Sequence, residues 1–436
     1  MENAKVVHIG LLGLGTVGSG VVKSLASNRE HIEQRTGFSV SVRRALVRDT
    51  QKPRRVTIHP DLLTTEAKDI LADPLISVVV EVMGGVEPAR ALIRTALEAG
   101  KHVITANKEL LAKHGDELMD TADSMGVRLL FEASVGGGIP IIRMVEAYLT
   151  ANRIFAIQGI LNGTCNYILT QMDEQGESFA SALASAQTLG YAEADPASDV
   201  LGFDAAYKLS ILANMAFPVY SHIGDVVRQG ITDITPFDIM MAKSLHGVVK
   251  LIGHAKYKMG RVTLEVGPRI ISKNHPLAGV RDVFNAVTLT ADVVGDLTFI
   301  GRGAGELPTA SAVIEDLMEI LRSPRPYGMR MPSLLPESAQ VQPDSADPQG
   351  YYVRLSPPLP KGKFCKDDLL DLLSVHEMDV HMLSEHQGQT GECAFVIRTA
   401  LIESVVQTLD QAGIQCNLYL PFDGEWPLQR EEIYSM

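Results

Sequence analysis

The sequence predicts an α/β protein: a doubly wound parallel sheet, then an α+β domain, then a small C-terminal module of ferredoxin-like pattern. Three observations predict it. First, the apolar run Val6–Leu12 breaks into a turn carrying Gly13, Gly15, Gly18 and Gly20 and continues as a helix-like stretch over residues 18–34, which is a strand, tight turn and helix. Second, strand-like runs recur at Ser39–Val47, Ser77–Val82, His102–Thr105 and Arg128–Phe131 between helical stretches such as Pro88–Ala99 and Lys108–Met125, and such alternation implies parallel strands covered on both faces. Third, the order of elements after residue 350 is βαββαβ, read over Tyr351–Ser356, Lys366–Ser374, Asp379–Ser384, Cys393–Thr399, Leu401–Ala412 and Ile414–Leu420, the split pattern of ferredoxin-like folds.

The domains follow from these runs. Residues 1–150 form the doubly wound domain, with a helix over Pro308–Leu321 expected to return to it as residues 306–322. Residues 151–305 mix strands (Arg153–Leu161, Lys256–Val266, Thr288–Gly295) with helices (Ser178–Leu189, Phe203–Phe217). Ser323–Gly350, rich in Pro, Ser and Asp, reads as a linker, and residues 351–436 form the last module. A chain of 436 residues with 46% hydrophobic and 21% charged residues has the balance of a folded protein. Its net charge of −13, with Lys and Arg scattered, offers no basic stripe for nucleic acid or an anionic membrane. Cys165, Cys365, Cys393 and Cys416 are far apart and match no zinc spacing, so they read as free thiols. The N-terminus holds no apolar stretch long enough for a signal peptide or membrane span, and the expected location is the cytoplasm.

Chemistry enters at Gly13-Leu14-Gly15-Thr16-Val17-Gly18, a G-x-G-x-x-G turn between strand and helix. The fingerprint needs glycine for the tight turn, for close backbone approach to a pyrophosphate and for helix–strand packing, so the first domain reads as a Rossmann-type dinucleotide site. At the end of the second strand, Arg48 is followed by Asp49, with Lys52, Arg54 and Arg55 beyond. An acidic residue there suits a ribose hydroxyl and an arginine suits a 2′-phosphate; Arg48, first off the strand, favours NADP with NAD as the other option. A second centre lies in Gly190-Tyr191-Ala192-Glu193-Ala194-Asp195-Pro196-Ala197-Ser198-Asp199-Val200 and the following Gly202–Leu209. On a helix, Asp204 and Lys208 at i and i+4 share one face, and Glu193 could meet them from the preceding loop. Hydride transfer to an aldehyde needs a proton delivered to the forming alkoxide, and a lysine among carboxylates can deliver it. A bare surface Asp–Lys pair is the competing reading.

The runs GYAEADPASDVLGFDAAYKLSILA, GLLGLGTVGSGVV, VVVEVMGG, VITANKELLA, FEASVGGGIPII, LNGTCNYIL and GRGAGELPTASAVIEDL together resemble the homoserine dehydrogenase family, through nearly all of residues 5–322. The resemblance is to the monofunctional form, with no aspartokinase-like portion expected before the cofactor domain. It implies interconversion of L-homoserine and L-aspartate 4-semialdehyde, the branch step toward threonine and methionine. It further implies that Glu193, Asp204 and Gly190 contact substrate, that Lys208 donates the proton, and that Lys108 lies between nicotinamide and substrate. Gly13, Gly15, Thr16, Val17, Gly18, Arg48, Lys108, Gly190, Gly303 and Gly305 would meet the cofactor. The loop Glu132–Pro140 resembles the family's monovalent-cation loop, with Glu132 and the carbonyls of Val135, Gly137 and Ile139 around sodium or potassium; oxygen-only ligation suits a hard cation. Read from its residues alone, that loop is a glycine-rich turn with Glu132 capping a helix. The last module resembles an ACT domain, for which L-threonine is the expected effector, although Pro357–Lys363 replaces the usual Asp-x-Pro-Gly turn; a module serving subunit contacts alone is the other reading. A homodimer or homotetramer is implied. Two other functions fit the cofactor turn: an oxidoreductase for another semialdehyde or hydroxy acid, and a non-catalytic dinucleotide sensor.

Overall fold

The structure, a computed structural model, describes residues 5–218, 220–322, 349–355, 372, 379–384 and 392–424. The first elements are β1 (Lys5–Leu12), α1 (Thr16–Ser27), α2 (Arg29–Thr36), β2 (Phe38–Leu46), β3 (Leu63–Thr64), α3 (Lys68–Leu71), β4 (Ile76–Glu81), α4 (Ala89–Glu98), β5 (His102–Thr105), α5 (Lys108–Met125) and β6 (Leu129–Leu130). Their six strands are all parallel, in the order β3-β2-β1-β4-β5-β6. This is the doubly wound order, whose direction reverses between β1 and β4. Both of those strands are near-continuous apolar runs buried toward their C-terminal ends, as strands covered on two faces require. The single helix expected over residues 18–34 is instead two. The buried stripe of α1 ends at Leu25, Asn28 leaves helical geometry (φ −107°, ψ 15°), and α2 buries only Ile32.

Next come α6 (Ile141–Arg143), β7 (Ile154–Ile160), α7 (Gly163–Gln175), α8 (Phe179–Thr188), α9 (Ala197–Val200), α10 (Phe203–Ala216), β8 (Val227–Arg228), α11 (Pro236–Ser244), β9 (Gly247–Lys258), β10 (Arg261–Ser272), β11 (Phe284–Ala291), β12 (Gly295–Arg302) and α12 (Glu306–Arg322). Where one strand was expected over Lys256–Val266 there are two, β9 and β10, paired antiparallel with Lys258 opposite Arg261. The turn between them is Met259-Gly260, both with positive φ (52° and 79°), the backbone of a two-residue hairpin. The run Thr288–Gly295 likewise divides: β11 ends at Ala291 and β12 begins at Gly295. Helix α11, absent from the expectations, has a legible start, since Thr235 and Asp238 form a capping box around Pro236 at the first turn. α12 packs against α1. A Cβ on Gly20 would sit 2.4 Å from the Glu306 carbonyl oxygen, so glycine lets these helices touch backbone to backbone.

The last strands are β13 (Gln349–Leu355), β14 (Asp379–Ser384), β15 (Cys393–Thr399) and, after α13 (Ile402–Gln411), β16 (Cys416–Asp423). Their order β16-β13-β15-β14, with β13 between β15 and β16, fits the split βαβ pattern. They are joined to the middle segment, because β16 pairs with β10 through Ile270↔Phe422 and Ile271↔Asp423, giving a single sheet running from β12 to β14. Most of the linker Ser323–Gly350, all but Leu372 of the helix expected over Lys366–Ser374 and the turn Pro357–Lys363 lie outside the described residues. Among those described, no helix is long and apolar enough to cross a membrane.

A buried charge pair reinforces the join. Arg354, on β13, lies 3.1 Å from Asp238 on α11, donates to Thr235 Oγ1 at 2.7 Å and to the Asp233 carbonyl at 3.0 Å, while the Tyr352 hydroxyl donates to Asp238 at 2.8 Å. Asp238 is fully buried and Arg354 nearly so. Removing Asp238 leaves the buried Arg354 with Glu392, at 3.4 Å, as its remaining counter-charge and costs the shorter ion pair. Asp238→Asn therefore destabilises the fold by about 3 kcal/mol in urea unfolding followed by circular dichroism, and Asp238→Asn with Arg354→Met recovers part of the loss.

Candidate active site

The glycine turn has the geometry its spacing requires. Gly13 adopts φ +106°, and a Cβ there would lie 2.9 Å from the Val82 carbonyl oxygen; a Cβ on Gly18 would lie 2.4 Å from the Gly13 carbonyl oxygen. Gly15 differs, since a Cβ there meets nothing within 4 Å. It is exposed at the N-cap of α1, where no side chain caps the helix and the first turn holds no acid. Thr16 is exposed and Val17 half-buried at the start of that helix, so the open N–H groups and positive dipole end face outward, the setting for a phosphate. Nearby, Glu81 ends β4 fully buried and accepts from Met83 N (2.7 Å), Gly84 N (3.3 Å) and Thr105 Oγ1 (2.5 Å), and burial pushes its carboxyl up. Asn107 caps α5 through Leu110 N and donates to the Gly85 carbonyl. Those bonds fix the Met83–Gly85 loop and place Lys108 at the first position of α5.

Lys108 meets the second centre there. Asp204, in the first turn of α10, is 4% exposed. Its Oδ2 accepts from Lys208 Nζ at 2.7 Å and from Asn162 Nδ2 at 2.8 Å, and its Oδ1 lies 3.3 Å from Lys108 Nζ. Burial alone would raise the Asp204 carboxyl, but Lys208 and Lys108, with the hydrogen bonds from Lys208 and Asn162, outweigh it and hold the group at about 2. Asp204 in turn raises Lys108. Lys208 Nζ also donates to the Leu161 carbonyl at 2.8 Å, which accepts from Asn285 Nδ2 at 2.9 Å as well. A proton-bearing ammonium is thus held by two acceptors, leaving a third N–H for a substrate oxygen. Asp199, half-buried in α9, accepts from Asn162 Nδ2 at 2.7 Å, and burial together with the Asp204 charge raises its carboxyl. Asp199 and Asn162 complete the cluster without having been singled out from the sequence. Their signals were present: Asp199 in the acid-rich run before Asp204, Asn162 at the N-cap position of α7.

Other expected residues are more dispersed. Glu193 is exposed and its backbone carbonyl accepts from Gln187; among the described residues its carboxylate meets neither Asp204 nor Lys208. Gly190 is exposed with φ +74° and ends α8. Arg48 is exposed past β2 without a partner among the described residues, while Asp49 Oδ1 is turned back on Gln51 N at 2.8 Å. Gly303 is buried, and a Cβ there would collide with the Asn285 amide at 2.0 Å. Gly305 (φ +126°) leads into α12. Gly303 also faces the Glu132–Pro140 loop: a Cβ on Gly137 would lie 2.4 Å from its carbonyl oxygen, and Gly138 N donates to Arg302 O at 3.0 Å. Glu132 is buried, and its carboxylate accepts from Ile142 N at 2.9 Å and Arg143 N at 2.8 Å, so it caps α6. Burial, against those N–H groups, pushes it up to about 7. Val135 and Ile139 are buried beside it, and Asp316 Oδ2 accepts from Glu132 N at 2.9 Å. Among the described residues no group of three or more His, Cys, Asp or Glu could hold a metal ion.

The parallel sheet with its open helix terminus, set beside a buried Asp204–Lys208 pair that the half-exposed Lys108 reaches, defines a nicotinamide-dinucleotide-dependent oxidoreductase. Comparison with known proteins makes it particular. Residues 140–318 match the homoserine dehydrogenase profile and residues 13–132 that of the homoserine dehydrogenase NAD-binding domain. The homoserine dehydrogenase of Bacillus subtilis is 44% identical over 321 residues, 74% of either chain, and that of Synechocystis is 47% identical over 319 residues, 72% of this chain and 73% of its own. A crystal structure of a homoserine dehydrogenase from Thiobacillus denitrificans superposes with a TM-score of 0.85 at 36% identity, covering 96% of this chain and 99% of that one. The chain belongs to the homoserine dehydrogenase family.

The glycines separate two roles by measurement. Gly15→Ala leaves the thermal unfolding midpoint unchanged but weakens dinucleotide binding at least about tenfold, since its Cβ projects only where phosphate would lie, whereas Gly18→Ala lowers both stability and affinity. Isothermal titration and calorimetric melting of the two variants check this.

Proposed function

We propose that the Asp204-centred cluster moves the proton in the interconversion of L-homoserine and L-aspartate 4-semialdehyde. The observation that carries this reading is a single buried carboxylate set between two lysine ammonium groups. A nicotinamide, when bound, would supply or take the hydride at the substrate's terminal carbon. Lys208 gives a proton to the forming alkoxide in the reducing direction and takes it from the hydroxyl in the oxidising one. Lys108 orients the same oxygen from the cofactor side, Asp204 keeps both lysines in place, and Glu193 and Gly190, exposed in the segment before α9, would reach the amino-acid end from outside the cluster. The assay is dinucleotide-dependent oxidation of L-homoserine followed at 340 nm: turnover is expected, and Lys208→Ala loses it at every pH by about a hundredfold or more. Near-wild-type turnover in Lys208→Ala overturns the assignment, and turnover restricted to another hydroxy acid overturns the substrate.

NADP is the proposed preferred cofactor. Support comes from the unpartnered, exposed Arg48 beside an Asp49 occupied within its own turn, and from Arg54, which bonds the Asp49 carbonyl. A hyperthermophilic archaeal homoserine dehydrogenase, 25% identical over 73% of this chain with a TM-score of 0.62, is known in complex with NADPH. Arg48→Ala lowers the ratio of kcat/KM for NADPH over NADH by about tenfold; an unchanged ratio overturns the preference.

Three further parts of the proposal concern ligands and assembly. Sodium or potassium would be held by Glu132 with the carbonyls of Val135, Gly137 and Ile139. The donor set fits: each Glu132 oxygen, having accepted one backbone N–H, keeps a lone pair, and the Arg143 guanidinium is engaged by Asp316 and Glu319 rather than by Glu132. L-Threonine is the proposed effector at the C-terminal strands, read in the same assay as inhibition. A homodimer or homotetramer is supported by apolar side chains left exposed around the β11–β12 hairpin, Val293, Val294 and Ile300. A cytoplasmic location accords with the free thiols Cys165, Cys393 and Cys416.

A further inference from the structure

We infer that Asn162 is a positioning residue for the reaction: one side-chain amide caps α7 and, through its two N–H groups, holds Asp199 and Asp204 in a fixed relation to the two lysines. The inference rests on the proposed role of the Asp204 cluster. Asn162 Oδ1 accepts from Cys165 N at 2.8 Å, while Nδ2 donates to Asp199 Oδ1 at 2.7 Å and to Asp204 Oδ2 at 2.8 Å. The orientation of the amide is not free. Rotating it half a turn would set its NH2 against the Cys165 N–H and its oxygen against two carboxylates, replacing three favourable contacts by three repulsive ones. The residue is 4% exposed, so water cannot substitute for it.

This arrangement solves a particular problem. Asp199 and Asp204 are both at least half-buried and close enough to share one amide group, so their charges repel. Asp204 is balanced by Lys208 at 2.7 Å and Lys108 at 3.3 Å, while Asp199 has no cation within ion-pair distance among the described residues. A neutral double donor lets the two carboxylates approach without adding a charge that would compete with the lysines. A third lysine or arginine there would draw Asp204 away from Lys208, and a water could leave. Because Asn162 Nδ2 and Lys208 Nζ share Asp204 Oδ2, the amide fixes which lone pair remains for Lys208, and hence where the ammonium points. Asn162 touches the carboxylates and not the reacting carbon, so it acts through Asp204.

The capping duty can be separated from the positioning duty by substitution, because Asp and Ser also cap helices well. Asn162→Asp keeps an oxygen for Cys165 N but turns a second carboxylate oxygen on Asp199 and Asp204. Asn162→Ser keeps the cap, adds no charge and is too short to donate to both acids. Positioning predicts that Asn162→Ser lowers kcat about tenfold to a hundredfold, the worth of a hydrogen bond to a charged group, with the KM for the dinucleotide unchanged. It predicts a larger loss for Asn162→Asp, with the acid limb of the kcat/KM profile displaced to higher pH as a third negative charge joins Asp199 and Asp204 across from Lys208, Lys108 and the Cys165 thiol. The thermal midpoint of Asn162→Ser stays near wild type, while Asn162→Asp, which buries a third carboxylate, melts lower and is assayed below its own midpoint. Wild-type kcat and pH profile in the two variants overturn the inference while leaving the Asp204 reading intact, provided Lys208→Ala is inactive in the same assay. An active Lys208→Ala removes that reading and the inference with it. Variants that melt below the assay temperature make Asn162 a structural residue and also overturn the proposal.

Discussion

The buried carboxylate of Asp204 is the constraint on which the site depends, because it is where the two sheets of the molecule meet in charge. Lys108 reaches it from the start of α5, which belongs to the parallel sheet, and Lys208 from one turn further along α10, which covers the mixed sheet; α5 and α10 pack against each other. A carboxylate with this little exposure is unfavourable unless it is paired. The two lysines and Asn162 more than compensate, holding it at about 2, below the value of an unfolded aspartate. For a carboxyl lowered in this way the contribution to stability is present above the unfolded pKa and fades only as pH falls through about 2. The Asp204 carboxylate is therefore ionised across the range in which a dehydrogenase works, and it holds both lysine side chains at fixed positions.

Close backbone approach is the second requirement, and glycine meets it at successive places. Gly13 and Gly18 let β1 turn into α1 against the Val82 carbonyl, Gly20 lets α12 lie on α1, and Gly137 and Gly303 let the Glu132 loop touch the segment that precedes α12. The cofactor side of the site is in this sense built by a returning helix as much as by the glycine turn. Arg55 and Lys23 both reach Glu306 at the start of that helix (3.9 and 2.6 Å), tying it to α1 and to the segment that follows β2.

The C-terminal strands extend the same sheet that carries β7, β9 and β11, and they are locked to α11 by Arg354, Tyr352 and Asp238. α11 contacts α7, whose cap is Asn162. A continuous set of packed elements thus runs from the C-terminal strands through α11 and α7 to the Asp204 cluster.

Much of this was legible in the residues. The parallel order, the cofactor turn, the i, i+4 placement of Asp204 and Lys208 and the capping function of Glu132 follow from period, glycine spacing and helix geometry, which are local rules. Local rules failed at Met259-Gly260, a turn between Lys258 and Arg261 inside what reads as one strand, and at Asn28, where a helix broke, because a lone glycine or asparagine can also be tolerated within an element. They also could not say that Glu193 lies exposed and away from the lysines, or that Asp199 and Asn162 complete the cluster. Sequence determined which side chains carry charge and which backbone positions need glycine. Only the tertiary structure decided which charges share a buried space, because the distance between Lys108 and Asp204 depends on how α5 packs on α10 and not on anything written near either residue.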